Sequence, residues 1–331
     1  MKKTLLSLSV LLLLASCDTC NNKTTTPAEP TKQITVNAPT FSSDTAYSYI
    51  QAQVNFGPRA MNTTAHEKCA AFLIQEAERF ADTVYVQHFN ARGYDGTVLK
   101  STNIVAAFNP QATTRVLLCS HWDSRPWADQ DDSASTAPIL AANDGASGVG
   151  VLLEIARLLK ASPLKNIGVD VFLIDAEDYG KPGYENSYCL GAQHWATNPH
   201  VPGYKADFGI LLDMVGAPNA VFAREGNSTF HAGWVQDVVW GNAAELGFGN
   251  FFSNERIGAI TDDHLYINNL IKIPTIDIIQ YDPASSSGTF GDYWHTHDDD
   301  MDVIDKATLH AVGATVTHTL YKYEAEQTPL P

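Results

Sequence analysis

The 331-residue chain predicts a single α/β domain on an open, mixed but mostly parallel sheet with helices on both faces. Three observations carry that prediction. Apolar runs too continuous for a half-exposed strand recur along the chain, segments with three- and four-residue apolar spacing lie between them, and polar clusters follow the runs directly. Strands buried on both faces and alternating with helices belong to parallel sheets. Such sheets bind ligands beyond the carboxyl ends of their strands.

The elements follow in order. Residues 1–17 read MKKTLLSLSVLLLLASC, with two lysines, an apolar run and small residues ending at Cys17. Residues 1–16 are thus expected to be an export signal, too short to span a membrane as a mature helix. Leu14-Ala15-Ser16-Cys17 resembles the bacterial lipobox, which implies lipid on Cys17 and a membrane-anchored protein facing the periplasm. Residues 17–33 are polar and Pro-containing, with almost nothing to bury, and read as a tether. The folded domain is expected over 34–331, where neither an internal repeat nor a Pro/Gly/Ser linker interrupts the chain. Within it, strands are expected at 101–108, 115–120, 169–174, 209–214 and 271–279, and helices at 43–55, 65–81, 147–160, 230–246 and 306–323. In the third helix, Val149, Leu152, Leu153, Ala156 and Leu159 mark the buried stripe.

Charge narrows the partners. Twenty-one Lys plus Arg against 37 Asp plus Glu leave −16, which repels a phosphate backbone, so nucleic acid is not an expected partner. Of five cysteines, Cys69, Cys119 and Cys189 fall in the domain, without C-x-x-C metal spacing. Cys69 and Cys119 read as small core residues. A disulfide between two of the three stays open, as is usual for an exported chain.

Six clusters sit at strand ends or helix starts. They are His121-Trp122-Asp123, Asn143-Asp144-Gly145, Asp175-Ala176-Glu177-Asp178, Asp213-Met214, Asp262-Asp263-His264 and His295-Thr296-His297. Taken alone, Asp144 reads as a helix cap and Glu177 with Asp178 as loop acids. Asp213 is different, because a lone carboxylate in an apolar run is costly unless paired or metal-bound. All six at one end of one sheet point to a site. Carboxylates and imidazoles without cysteine pairs suit catalytic Zn²⁺ with an open position. The chain has no G-x-S-x-G elbow, no G-x-G-x-x-G after its first expected strand and no Walker loop, which removes serine-hydrolase, dinucleotide and P-loop readings.

The order His-x-Asp, Asp-Gly, acid-acid, Asp, His-Thr resembles the zinc aminopeptidase-like fold, and within it most closely the glutaminyl-peptide cyclotransferases (glutaminyl cyclases). The likeness runs from Phe56-Gly57-Pro58-Arg59 to the final helix. Its specific pieces are Leu211 to Asn219 (LLDMVGAPN), Asp262-Asp263-His264, and Trp294-His295-Thr296 followed by Asp298-Asp299. The resemblance implies one zinc held by Asp144, Asp178 and His295, and Glu177 as general acid/base. It also implies a short hydrogen bond between Asp213 and Asp262, and a substrate pocket lined by Phe290 and Trp294. The implied reaction closes the N-terminal glutamine of peptides or proteins to pyroglutamate with release of ammonia. Two positions depart from the animal pattern. Asp178 stands where animal cyclases commonly have Glu, and the segment after it lacks their tryptophan, with Tyr184 or Trp195 as candidate substitutes. The alternative is a two-zinc aminopeptidase using His121 and Asp213 with Asp144 as bridge; a direct Asp213–Asp262 bond would deprive its second metal of a ligand.

Overall fold

The computed structural model describes residues 36–131 and 136–327, which belong to one compact unit, Ile34–Pro331. The export signal, Cys17, Cys20 and the tether lie outside the described residues. Two helices open the domain, α1 (Ser43–Val54) and α2 (Thr64–Phe80), capped by the side chains of Ser42 and Thr63. Each such cap satisfies an N–H that the helix leaves free, worth about 1 kcal/mol.

The main sheet has six strands: β1 (Thr83–Arg92), β2 (Val98–Phe108), β3 (Arg115–His121), β4 (Gly168–Ile174), β5 (Phe208–Asp213) and β8 (Thr275–Ile279), in the order β1-β2-β4-β3-β5-β8. The three pairings among β4, β3, β5 and β8 are parallel, while β1 and β2 add an antiparallel edge. The mixed, mostly parallel sheet is therefore as the sequence predicts. A small parallel pair, β6 (Phe222–Arg224) and β7 (Phe252–Arg256), lies outside it.

Both faces of the central strands are buried, and alternate residues divide between two cores. Val116 and Leu118 join Ile104, Val171 and Ile210 in the larger core, with α1, α2, α3 (Ala146–Ala161), α5 (Gly226–Glu245) and α6 (Lys306–Gln327). Leu117 and Cys119 turn the other way, to Phe172, Leu211 and Trp195 of α4 (Leu190–Thr197). Burying one such aliphatic side chain stabilises by roughly 1.5–3 kcal/mol. This continuous double burial is why the strands carry no polar alternation. All five residues of the stripe expected on α3 are buried.

Two expectations need correction, and one open question is settled. The run 271–279 is strand only from Thr275, because Ile267–Ile271 is a π-helical turn and Lys272 takes a left-handed φ of 64° before Pro274. The helix expected at 230 begins at Gly226, capped by the Glu225 side chain. Cys69, Cys119 and Cys189 are buried free thiols, so none pairs with another.

Candidate active site

Buried carboxylates that hold backbone N–H groups shape the turns at the carboxyl end of the sheet. Asp123, just after β3, accepts from the N–H of Glu177 at 3.0 Å and of Asp178 at 3.2 Å, pinning the turn after β4. Asp175 anchors the same turn, at 2.9 Å from His66 Nε2 of α2 and accepting from Thr102 N–H of β2. Asp299 accepts from Asn143 N–H at 2.7 Å and Asp144 N–H at 3.1 Å, fixing the segment that enters α3. Gly145 is required there, because an added Cβ would collide with the ring and carbonyl of His121. Non-glycine residues in the left-handed region gather at the site: Ala176, Met214 and His295 have φ of 56°, 49° and 58°. Such backbone persists only where its surroundings over-determine it.

These turns bring Asp144, Asp178 and His295 together, with one ligand atom of each within 4.8 Å of the others and all three residues buried. His295 Nε2 lies 3.7 Å from Asp144 Oδ2 and 3.6 Å from Asp178 Oδ1, beyond hydrogen-bond range. Ligand atoms on a tetrahedral zinc with bonds of about 2.0 Å stand roughly 3.3 Å apart, so the spacing fits an ion after a small contraction. A second observation agrees: Asp178 Oδ2 is buried with no hydrogen-bond partner, an orphan that a cation would satisfy. The residues fit zinc, with three protein ligands and an open fourth position.

Groups the sequence reading missed surround this triad. Arg125 donates to Asp178 Oδ1 at 2.8 Å and grips Asp129, whose Oδ1 lies 3.1 Å from His295 Nδ1. That sets a carboxylate beside the second ring nitrogen of the histidine, the place from which such a group can orient a ligand imidazole. Burial pushes the Asp178 carboxyl up to about 6 against the opposing charges of Arg125 and His295. Asp129 goes the other way, held well below the carboxylate range by Arg125 and His295 despite its burial.

His121, Asp144 and Asp213 form a neighbouring cluster of different character. Here His121 Nε2 touches Asp144 Oδ1 at 3.1 Å and Asp213 Oδ1 at 3.2 Å, both at hydrogen-bond distance. Burial alone would lower the imidazole, but Asp123, Asp144 and Asp213 together hold it well above its ordinary value. Asp213 is pushed up to about 7, chiefly by burial. Asp213 Oδ1 is thus engaged by His121, and Asp262 lies in a buried cluster with His264 and Asp277 of β8.

Asp144, Glu177, Asp178, Asp213, Asp262, Phe290, Trp294 and His295 all line one pocket. Trp294 stacks on the His295 ring at 3.8 Å, and Phe290 packs on Trp294 at 4.9 Å. Burial, then the charge of Asp178, raises the Glu177 carboxyl well above its ordinary range. Neither candidate substitute for the missing tryptophan reaches the pocket: Tyr184 is exposed against Tyr94, and Trp195 is buried in the smaller core. The aromatic that arrives from that segment is Tyr188.

Glu225 braces the loop that brings Ile260, Thr261 and Asp262 to the pocket. Its buried carboxylate caps α5, accepts from Ile260 N–H at 3.2 Å and lies 3.0 Å from His264 Nε2, tying the loop that carries Asp262 to the helix. Burial raises this carboxyl, but His264 and Ser228 outweigh it and bring it down to about 2. A depressed carboxylate stabilises fully above its unfolded value of about 4.3, and that contribution disappears as pH falls through the folded value. The shift corresponds to on the order of 3 kcal/mol. Glu225→Ala is therefore expected to lower the melting temperature at pH 7 and to flatten the loss of stability between about pH 4.5 and 2. Thermal melts across that range check it, and an unchanged profile would contradict it.

An open α/β sheet that presents buried Asp, Asp and His side chains able to hold a metal beside a pocket glutamate defines a zinc-exopeptidase-like protein. Residues 103–320 match the model of peptidase family M28, and the chain belongs to that family. It is similar to a Zn-dependent exopeptidase from Parabacteroides distasonis (48% identity, TM-score 0.84, 86% of this chain and 99% of that one). It is equally similar to the glutaminyl cyclase of Bacteroides thetaiotaomicron (48%, TM-score 0.83, 86% and 99%). The bovine glutaminyl-peptide cyclotransferase is 27% identical over 236 residues, 63% of this chain and 62% of the bovine protein's length.

Proposed function

We propose that the protein is a zinc-dependent glutaminyl-peptide cyclotransferase that closes N-terminal glutamine to pyroglutamate. The observation that carries this is the Asp144, Asp178 and His295 triad, with its orphaned Asp178 Oδ2, beside a pocket glutamate, while in the neighbouring cluster His121 Nε2 already hydrogen-bonds Asp213 Oδ1 at 3.2 Å. The similarity to solved glutaminyl cyclases supports it.

The reaction needs few groups. Asp144, Asp178 and His295 would hold one zinc per chain, which supplies Lewis acidity toward an amide oxygen. Glu177 takes a proton from the α-amine as its nitrogen bonds to the side-chain amide carbon. The same carboxyl returns the proton to the departing nitrogen, which leaves as ammonia when the carbon–nitrogen bond breaks. A carboxyl raised by burial holds a proton more readily than an ordinary glutamate, which suits a group that must take one and hand it on. Phe290, Trp294 and Tyr188 wall the pocket and favour the folded-back glutamine over attack by water. Asp213 and Asp262 face the same space and attract the substrate amine.

The His121, Asp144 and Asp213 cluster favours a second reading, a two-metal aminopeptidase. His121 weighs against it, because its Nε2 lies 3.1 Å from Asp144 Oδ1 and hydrogen-bonds Asp213 Oδ1 at 3.2 Å, offering a proton where that reading needs a second ion. The wild-type chain is expected to release ammonia from a Gln-initiated peptide and nothing from its Leu-initiated counterpart. Free leucine would support the peptidase.

Export and lipid attachment at Cys17 belong to the same proposal, supported by Lys2, Lys3 and the apolar run before Ala15-Ser16-Cys17. Palmitate labelling that survives Cys17→Ser would overturn them.

A further inference from the structure

Cys189 has no part in the chemistry above, yet it touches the residue on which that chemistry turns. Cys189 and Ala176 both hold left-handed backbone, with φ of 58° and 56°. Their two turns are clasped: Cys189 N–H donates to Glu177 O at 2.9 Å, and Leu190 N–H to Ala176 O at 3.0 Å. The clasp delivers Cys189 Sγ to 3.2 Å from Glu177 Oε1 and within 4.8 Å of an Asp262 carboxyl oxygen. Although Cys189 precedes α4 at its cap position, its side chain makes no cap hydrogen bond. The thiol is buried, and burial with the nearby Glu177 charge keeps it protonated, hence a donor.

We propose that Cys189 is a positioning residue for Glu177. Its S–H donates to Oε1 and fixes the carboxyl, leaving the other oxygen for the proton that moves between amine and departing ammonia. The inference rests on Glu177 as the proton carrier, but the contact itself does not. A cysteine that only filled core space would be indifferent to the donor. Serine keeps a donor of similar reach, and alanine has none.

The test compares Cys189→Ala and Cys189→Ser in the zinc-loaded full chain, with ammonia release from a Gln-initiated peptide as the assay. Cys189→Ala is expected to lower kcat by about tenfold, the low end for a hydrogen bond to a charged group, with KM within about twofold. Cys189→Ser is expected to restore most of the rate. Equal losses in both variants, with wild-type turnover intact, would overturn the proposal. A second measurement needs no Cys189 variant and no turnover: the S–H stretching bands of wild type and Glu177→Gln, by Raman spectroscopy. The lowest-frequency band is expected to rise in Glu177→Gln, where the acceptor has lost its charge. A spectrum that does not change would overturn the contact even if the enzyme cyclises glutamine.

Discussion

Glu177→Gln is expected to leave zinc content and the fold intact while kcat falls by about 10² to 10⁴, the usual contribution of a positioned acid/base group. The substitution keeps the shape of the side chain and removes its ability to carry a proton. The turn does not depend on the carboxyl, because Asp123 holds the Glu177 and Asp178 N–H groups and Asp175 secures the strand end. KM should therefore change little. Steady-state kinetics with metal analysis check this. Retention of the wild-type rate would place the proton carrier elsewhere, whereas loss of zinc would show that Glu177 supports the triad rather than the reaction.

His295→Ala is the other large expected effect. His295 supplies the only nitrogen of the triad, stacks under Trp294 and reaches Asp129 through its second nitrogen. Loss of a group that merely orients a ligand lowers metal affinity about 10- to 100-fold, so loss of the ligand itself should exceed that. Asp129→Asn gives the internal comparison. It should fall within the 10- to 100-fold range and recover activity in excess zinc, which His295→Ala should not. Titration against a competing chelator measures both. Equal affinity in His295→Ala and wild type would remove His295 from the site.

The parts of this account legible in the sequence share a physical cause. Continuous apolar runs mark β3, β4 and β5 because both sheet faces are covered, and their polar ends mark the site because loops emerge there. The edge strand β1 was illegible for the opposite reason: one face is exposed, and Gln87, His88 and Asn90 break the apolar signal. The triad itself was reached through the resemblance, since no local spacing relates Asp144 to His295. Arg125, Asp129, Asp277 and Cys189 were missed because their roles exist only across folded contacts. Arg125 meets Asp178 and Cys189 meets Glu177, and neither pairing leaves a pattern in the chain. Asp277 reads as an interruption in an apolar strand until the fold sets it beside Asp262.

Both readings of the site use Glu177 and a zinc, so ligand and base variants alone do not separate them. The fate of water does. In water enriched in ¹⁸O, the wild-type protein acting on a Gln-initiated peptide is predicted to give a full-length product lighter by one ammonia, with no ¹⁸O incorporated. Release of free glutamine carrying ¹⁸O in its carboxylate would contradict cyclisation and assign the site to peptide hydrolysis.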